Sequence, residues 1–243
     1  MVSSEFKSKL NRQIRDIPQN AVRAKGVYDR LSPLLNKFHG GMPVGFLAAI
    51  ASFESGGKMS SRGDSQLGEV GIFQITSSFP GKVGLPAASR FIEEVNVFLG
   101  CLEYQIMAIE MWLANPKIPL GTADSWKLAR LAFAIGAGGT RTLLSKSGAR
   151  SYAELTDYVD RVGGVALGRQ SASKVWFRVN IINVLWDVGQ RVVPPIFIGA
   201  PVKIPNPSIG SYTLPSSVAK YLPSSLRGPL VALVLGSAAI LIA

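Results

Sequence analysis

Glu54 is the residue whose type and setting best suit catalysis. It follows an apolar run over residues 46–53 and precedes Ser-Gly-Gly at 55–57, a combination that ends helices. A carboxyl group at the edge of an apolar core loses hydration, which favours its neutral, protonated form. A carboxylic acid that keeps its proton near neutral pH is what a glycosidase needs to protonate a leaving oxygen. The alternative is an ordinary, solvated glutamate at a helix end.

Composition excludes several other chemistries. The chain has 243 residues with one cysteine, Cys101, and one histidine, His39, so an intramolecular disulfide, a cysteine-cluster zinc site and a multi-histidine metal site are ruled out. We therefore expect no metal and no cofactor. Hydrophobic residues make up 47% of the chain and charged residues 17%, a balance typical of folded rather than disordered chains.

Hydrophobic spacing predicts an all-α fold, because apolar residues recur at helical intervals and few runs alternate as strands do. One segment, residues 44–54, is apolar on nearly every face and is therefore expected to be buried. Helices are predicted over residues 5–15, 21–38, 44–54, 90–114, 124–136, 152–162 and 172–190.

Charge divides the chain into a balanced middle and two basic flanks. Residues 1–40 carry eight Lys or Arg against three Asp or Glu, residues 41–160 carry ten against eleven, and residues 161–243 carry eight against one. Basic surfaces suit anionic partners, such as nucleic acid, acidic lipid headgroups or cell-wall polymers. Non-specific nucleic-acid binding by the flanks is therefore one predicted interaction, and a merely soluble basic surface is the alternative.

The C-terminal part of the chain differs in composition from the rest. Residues 191–227 are rich in proline, which predicts an extended, semi-rigid linker. Residues 228–243 run without a charge, somewhat short of the about 20 apolar residues that a spanning helix needs. We expect this hydrophobic tail helix to anchor the chain in a membrane; a buried helix or one docked on a partner is the alternative.

Five short motifs follow one another in the middle of the chain. The first places a Gly-x-Pro before the helix that ends in Glu54, and the others are spread over the next hundred residues or so. In order, they are GMP at 41–43 with AIASFESG at 49–56, GIFQI at 71–75, NVFLG at 96–100, AFAIG at 132–136 and ELTDYV at 154–159.

This series of motifs resembles the soluble lytic transglycosylases, lysozyme-like enzymes that cleave peptidoglycan. The resemblance covers residues 25–165. It implies a goose-type, lysozyme-like catalytic domain over residues 41–190, at most α+β, that follows a basic helical segment over residues 1–40. It also implies that Glu54 protonates the oxygen between N-acetylmuramic acid and N-acetylglucosamine, then takes the proton of the muramyl C6 hydroxyl, giving a 1,6-anhydro sugar. The substrate-binding residues that it implies are Ser55, Gly71, Phe73, Gln74, Phe133 and Tyr158.

The motif AFAIG at 132–136 departs from the family pattern at two positions. Phe133 and Ala134 stand where the family has tyrosine and asparagine. Ala134 has no side chain that can hydrogen-bond a sugar or orient Glu54, so substrate handling must differ. The ring of Phe133 can keep the stacking role of an aromatic residue.

Two other functions stay open from the residues alone. A hydrolytic lysozyme would use a second carboxylate to position water, and Asp64 or Glu69, in the loop between the first two motifs, are the candidates. A chain that kept the fold as an inactive structural or binding module is the other alternative. The glutamates of the long helix over 90–114, Glu103 among them, are expected on a solvated face.

The cellular setting is predicted from the two ends of the chain. The first 40 residues lack the apolar stretch of an export signal, whereas peptidoglycan lies outside the cytoplasm. We therefore expect delivery by a phage particle with an internal membrane, in which the tail is anchored and other virion proteins are neighbours, with wall opening during genome entry. Delivery to the bacterial envelope by a secretion system is the alternative.

Overall fold

The computed structural model describes residues 2–193, and this part of the chain is all-α. It contains helices and isolated β-bridges but no extended strand. The helices of this part are α1 (Ser4–Arg15), α2 (Ile17–Phe38), α3 (Val44–Ser55), α4 (Phe79–Lys82), a 3-10 helix (Ala87–Phe91), α5 (Glu93–Ala114), α6 (Ala123–Ile135), α7 (Ala137–Ser147), α8 (Tyr152–Val162) and α9 (Ala172–Val192).

The apolar helix α3 lies at the centre of the core, as its composition predicted. Every residue from Gly45 to Ala51 is buried, and α2 and α9 pack against it. Pro43 precedes the helix, and Gly56 ends it in the left-handed conformation, with φ of 63°. The last turn of α3, which holds Glu54, is therefore the first part of the helix to reach the edge of the core.

The basic N-terminal helices share this core. Leu31 and Leu35 of α2 and Leu10 of α1 are buried. α1 packs on α9, where the ring centroid of Phe6 lies 5.7 Å from that of Phe177. Their charged side chains lie on the outer faces. Residues 2–40 are thus an integral part of the helical domain.

The long helix α5 forms the other side of the core. By length and composition it is apolar enough to cross a membrane, but half of its most apolar window is buried inside the fold, where α6 packs against it. It begins at Glu93 rather than at residue 90 because the 3-10 helix over Ala87–Phe91 ends in an extended residue, Ile92.

Two expectations concern residues that the structure does not describe. The proline-rich linker predicted for residues 191–227 extends beyond residue 193, and the tail helix of residues 228–243 lies wholly outside the described part. The membrane and virion setting based on that tail therefore stays a prediction.

Candidate active site

Glu54 and Arg130 form an ion pair at the edge of the core. Oε1 of Glu54, in the last turn of α3, accepts a hydrogen bond from Nη2 of Arg130 in α6. The side chain of Glu54 is 19% exposed and that of Arg130 only 5%. The carboxyl group can thus be reached from solvent, whereas its cationic partner lies behind it in the protein.

Neighbouring groups explain how a buried guanidinium is tolerated here. Burial is the largest influence on Arg130 and lowers its pKa, but Glu54 and then Tyr104 and Tyr152 act in the opposite direction, and the pKa of Arg130 is raised overall. The guanidinium also lies 5.3 Å from the centroid of the Phe133 ring. Arg130 therefore stays charged and keeps a positive charge beside the Glu54 carboxyl.

The loop of residues 61–76, here called the site loop, is held against the end of α3 by Ser55. Antiparallel bridges join Val70 to Arg62 and to Ile75, so the loop folds back on itself. Oγ of Ser55 lies 2.8 Å from the carbonyl oxygen of Ile72, and Oγ of Ser61 donates to the Ser55 carbonyl at 2.9 Å. The Ser55 hydroxyl thus joins Glu54's helix to the loop rather than pointing to a ligand.

Asn96 fixes the same loop from the other side. Its buried amide donates to the carbonyl of Val70 at 3.1 Å and to that of Arg90 at 2.9 Å, and its oxygen accepts from the backbone N–H of Phe73 at 3.2 Å. Gly71 lies against this amide with φ of 81°, and a Cβ there would come within 2.7 Å of Cγ of Asn96. Gly71 is required by this close contact.

Phe73 and Gln74 point into the protein. Phe73 is fully buried, and its ring centroid lies 6.2 Å from that of Tyr104. It packs closely on Gly100: a Cβ added to Gly100 would come within 2.6 Å of the Cβ of Phe73. Gln74 is 3% exposed and donates from Nε2 to the carbonyl of Gly71 at 2.6 Å, with its own φ at 54°. Both residues shape the loop, and neither offers its side chain to a sugar.

The two aromatic candidates differ in their position. Phe133 is half-buried beside Arg130, and its ring centroid lies 5.2 Å from that of Tyr104. The ring centroid of Tyr158 lies 6.0 Å from the guanidinium carbon of Arg161. The tyrosines that raise the pKa of Arg130 are Tyr104 and Tyr152. Phe133 is thus the aromatic candidate placed next to the ion pair.

The two candidate second carboxylates, Asp64 and Glu69, are both in the site loop. Asp64 is exposed and caps the backbone N–H of Gln66 at 2.8 Å. Glu69 is half-buried, accepts from the N–H of Asp64 at 2.9 Å and is close enough to raise the pKa values of Glu103 and Arg178. Of the two carboxylates, Glu69 is the one whose charge acts on the buried Glu103 and the half-buried Arg178.

The prediction of a solvated face on α5 is wrong for Glu103. This residue is only 8% exposed, and its Oε2 has no hydrogen-bond partner among the described residues. Burial raises the pKa of Glu103 to about 7; the charge of Lys82 acts against this shift, and repulsion from Glu69 adds a smaller rise. Glu103 lies in the buried run from Leu99 to Tyr104, so its side chain is enclosed by the fold.

Glu103 is expected to make the folded state less stable as pH rises. The unfolded carboxyl group ionises near pH 4.3, whereas the folded one keeps its proton to about pH 7, so stability falls between these values and is level above them. Between pH 5 and pH 8 the wild-type protein should lose on the order of 2–3 kcal/mol of unfolding free energy through this group, because each unit of pKa difference corresponds to about 1.4 kcal/mol. We expect Glu103→Gln to remove this loss. Urea unfolding at both pH values measures this.

The matched control is Glu110→Gln, which makes the same change at a partly exposed position of α5. The free energy of unfolding of this variant should differ between pH 5 and pH 8 by the same amount as that of the wild-type protein. A Glu103→Gln variant with the full wild-type pH dependence would show that this carboxyl group ionises normally in the fold.

Comparisons with known proteins provide no relative for this site. No family model, no curated protein and no solved structure matches the chain. Within residues 2–193, no group of three or more His, Cys, Asp or Glu side chains is arranged to hold a metal ion.

Proposed function

We propose that the chain is a peptidoglycan lytic transglycosylase with a lysozyme-like catalytic domain, in which Glu54 is the catalytic residue. The observation that carries the proposal is the setting of Glu54: a partly exposed carboxyl group at the end of a buried helix, paired with a buried arginine. The site loop beside it is fastened at Ser55 and Asn96, so a substrate would meet a preformed edge.

The ion pair with Arg130 favours the carboxylate of Glu54, in contrast to the neutral form expected from the sequence, so it supports the second of two proton transfers more directly than the first. Protonated Glu54 gives its proton to the glycosidic oxygen as the bond from that oxygen to the muramyl C1 breaks. The carboxylate then takes the proton of the muramyl C6 hydroxyl, whose oxygen bonds to C1, so no water is consumed. A guanidinium beside the carboxylate stabilises the charged state that exists between the two transfers. Phe133 would offer its half-exposed ring to a sugar face.

Hydrolysis is the second candidate reaction, and the position of Glu69 is the observation that favours it. Glu69 lies within electrostatic range of Glu103 and Arg178, and Arg178 in turn interacts with Glu54. A second carboxylate on the opposite side of the bond would hold a water molecule for attack on C1. The two reactions leave different sugar ends, which makes them separable by their products.

Product analysis tests the proposal directly. The full-length chain is incubated with purified peptidoglycan, and the released muropeptides are identified by mass spectrometry, with Glu54→Gln as the matched control. We expect 1,6-anhydromuramyl ends from the wild-type chain and none from the variant. Reducing ends would instead establish a hydrolase and direct attention to Glu69. A folded chain that releases nothing from the walls of several bacteria would contradict both enzymatic functions and favour the inactive module.

A further inference from the structure

We propose that Arg178 binds a carboxylate of the substrate and so makes cleavage depend on a negative charge near the muramyl residue. This inference rests on the proposed function and specifies the chemistry that the same site recognises. Arg178 lies in α9, outside all five sequence motifs, and is half-buried.

The packing of α3 on α9 places Arg178 level with Glu54. Gly45 contacts Gly189, and the ring of Phe46 lies 4.9 Å from that of Trp186, so the two helices run antiparallel. From this contact, Glu54 lies nine residues along α3 and Arg178 lies eleven residues back along α9. At 1.5 Å per residue, these are shifts of about 14 and about 17 Å in the same direction.

Ala134 holds the Arg178 side chain in place. Nη1 of Arg178 donates to the backbone carbonyl of Ala134, next to Phe133, and within residues 2–193 this is its only hydrogen bond. A guanidinium has five N–H donors in a planar fork, which matches the two oxygens of a carboxylate. The contact therefore orients the group while other donors remain for a ligand.

The charge of Arg178 has no direct ion-pair partner among the described residues, in contrast to that of Arg130, which is paired with Glu54. Burial and then the like charge of Arg130 lower the pKa of Arg178, while the carboxylates of Glu54 and Glu69 act against this shift. A bound anion would offset both unfavourable influences.

Peptidoglycan offers carboxylates from two sources. The lactyl group of muramic acid ends in a free carboxylate wherever the stem peptide has been removed, and an intact stem peptide carries carboxylates of its own. The sugars themselves are neutral. The shared chemistry is a carboxylate close to the muramyl ring, and substrates that differ in one source at a time distinguish the two.

The test compares Arg178→Gln with the wild-type full-length chain on three substrates: intact peptidoglycan, peptide-free glycan strands, and peptide-free strands whose lactyl carboxylates are converted to neutral amides. We expect Arg178→Gln to raise KM by about tenfold or more where the recognised carboxylate is present, with little change in kcat. A loss on peptide-free strands that disappears on amidated strands assigns the lactyl carboxylate. A loss confined to intact peptidoglycan assigns the stem peptide.

Controls separate recognition from folding. Lys174→Gln removes one exposed positive charge from the same helix and should leave KM unchanged. Arg178→Lys keeps the charge but not the planar fork, so it should lie between the wild type and Arg178→Gln. Wild-type KM values for Arg178→Gln on all three substrates, or an equal loss on the amidated strands, would overturn the inference. Because the wild-type chain still cleaves in either case, these outcomes differ from failure of the proposed function, in which it cleaves none.

Discussion

Glu54→Gln is expected to lower the rate of glycan-strand cleavage by at least about a thousandfold, because glutamine can neither give nor accept the transferred proton. The amide keeps the size of the carboxyl group, so a change in shape cannot account for such a loss. The time course of muropeptide release from purified peptidoglycan measures the rate. Asp157→Asn, the same change at an exposed carboxylate of α8, should retain full activity.

The same substitution is also expected to reduce stability, because Arg130 is 5% exposed and loses its countercharge. Breaking a buried ion pair from one side costs about 3–5 kcal/mol, but glutamine still offers a carbonyl oxygen to Nη2 of Arg130, so we expect about 1–3 kcal/mol. The double variant Glu54→Gln/Arg130→Met removes both charges. It should regain stability without regaining activity.

This pair of results separates catalysis from folding. If activity falls only because the fold weakens, the double variant should recover both. Wild-type cleavage by a folded Glu54→Gln variant would exclude Glu54 as the proton donor. An Arg130→Met single variant as stable as the wild type would show that the buried pair contributes nothing to the fold.

Most helices of the described part could be predicted because their apolar spacing is strong. The helix ending at Glu54 and the helix over residues 152–162 appear almost where they were predicted. α7 was missed, since Gly138 and Gly139 in its first turn are poor helix formers. Its helical state comes from tertiary packing, in which Leu143 and Leu144 are buried in the core.

Of the candidate site, the sequence predicted where Glu54 lies but not which residue it contacts. Glu54 could be recognised because the helix and its glycine stop are local in sequence, whereas its partner Arg130 lies 76 residues away. A usable signal was present: Arg130 and Glu103 are single charges within apolar helical runs, the pattern of a charged residue facing a core. Phe73, predicted to bind substrate, is buried because Gly100 leaves room for its ring on α5.

Gly189→Ala is expected to lower the free energy of unfolding by about 3 kcal/mol, since α3 and α9 touch through their backbones at this point. A Cβ on Gly189 would come within 2.7 Å of both Cα and N of Phe46, and one on Gly45 would overlap the carbonyl oxygen of Gly189. No flexible side chain can move aside there, so the helices themselves must separate, which places the cost at the upper end for overpacked cores.

Thermal unfolding measures this effect, and a shift of about 2–4 °C per kcal/mol in a protein of this size predicts a fall in Tm of about 6–12 °C. Gly26→Ala is the matched control, because nothing lies within 4 Å of a Cβ at this exposed position of α2. It should raise stability by up to about 1 kcal/mol through helix propensity alone. A Gly189→Ala variant that behaves like Gly26→Ala would mean that the two backbones are further apart. In that case, the antiparallel register that brings Arg178 level with Glu54 would lose its main support.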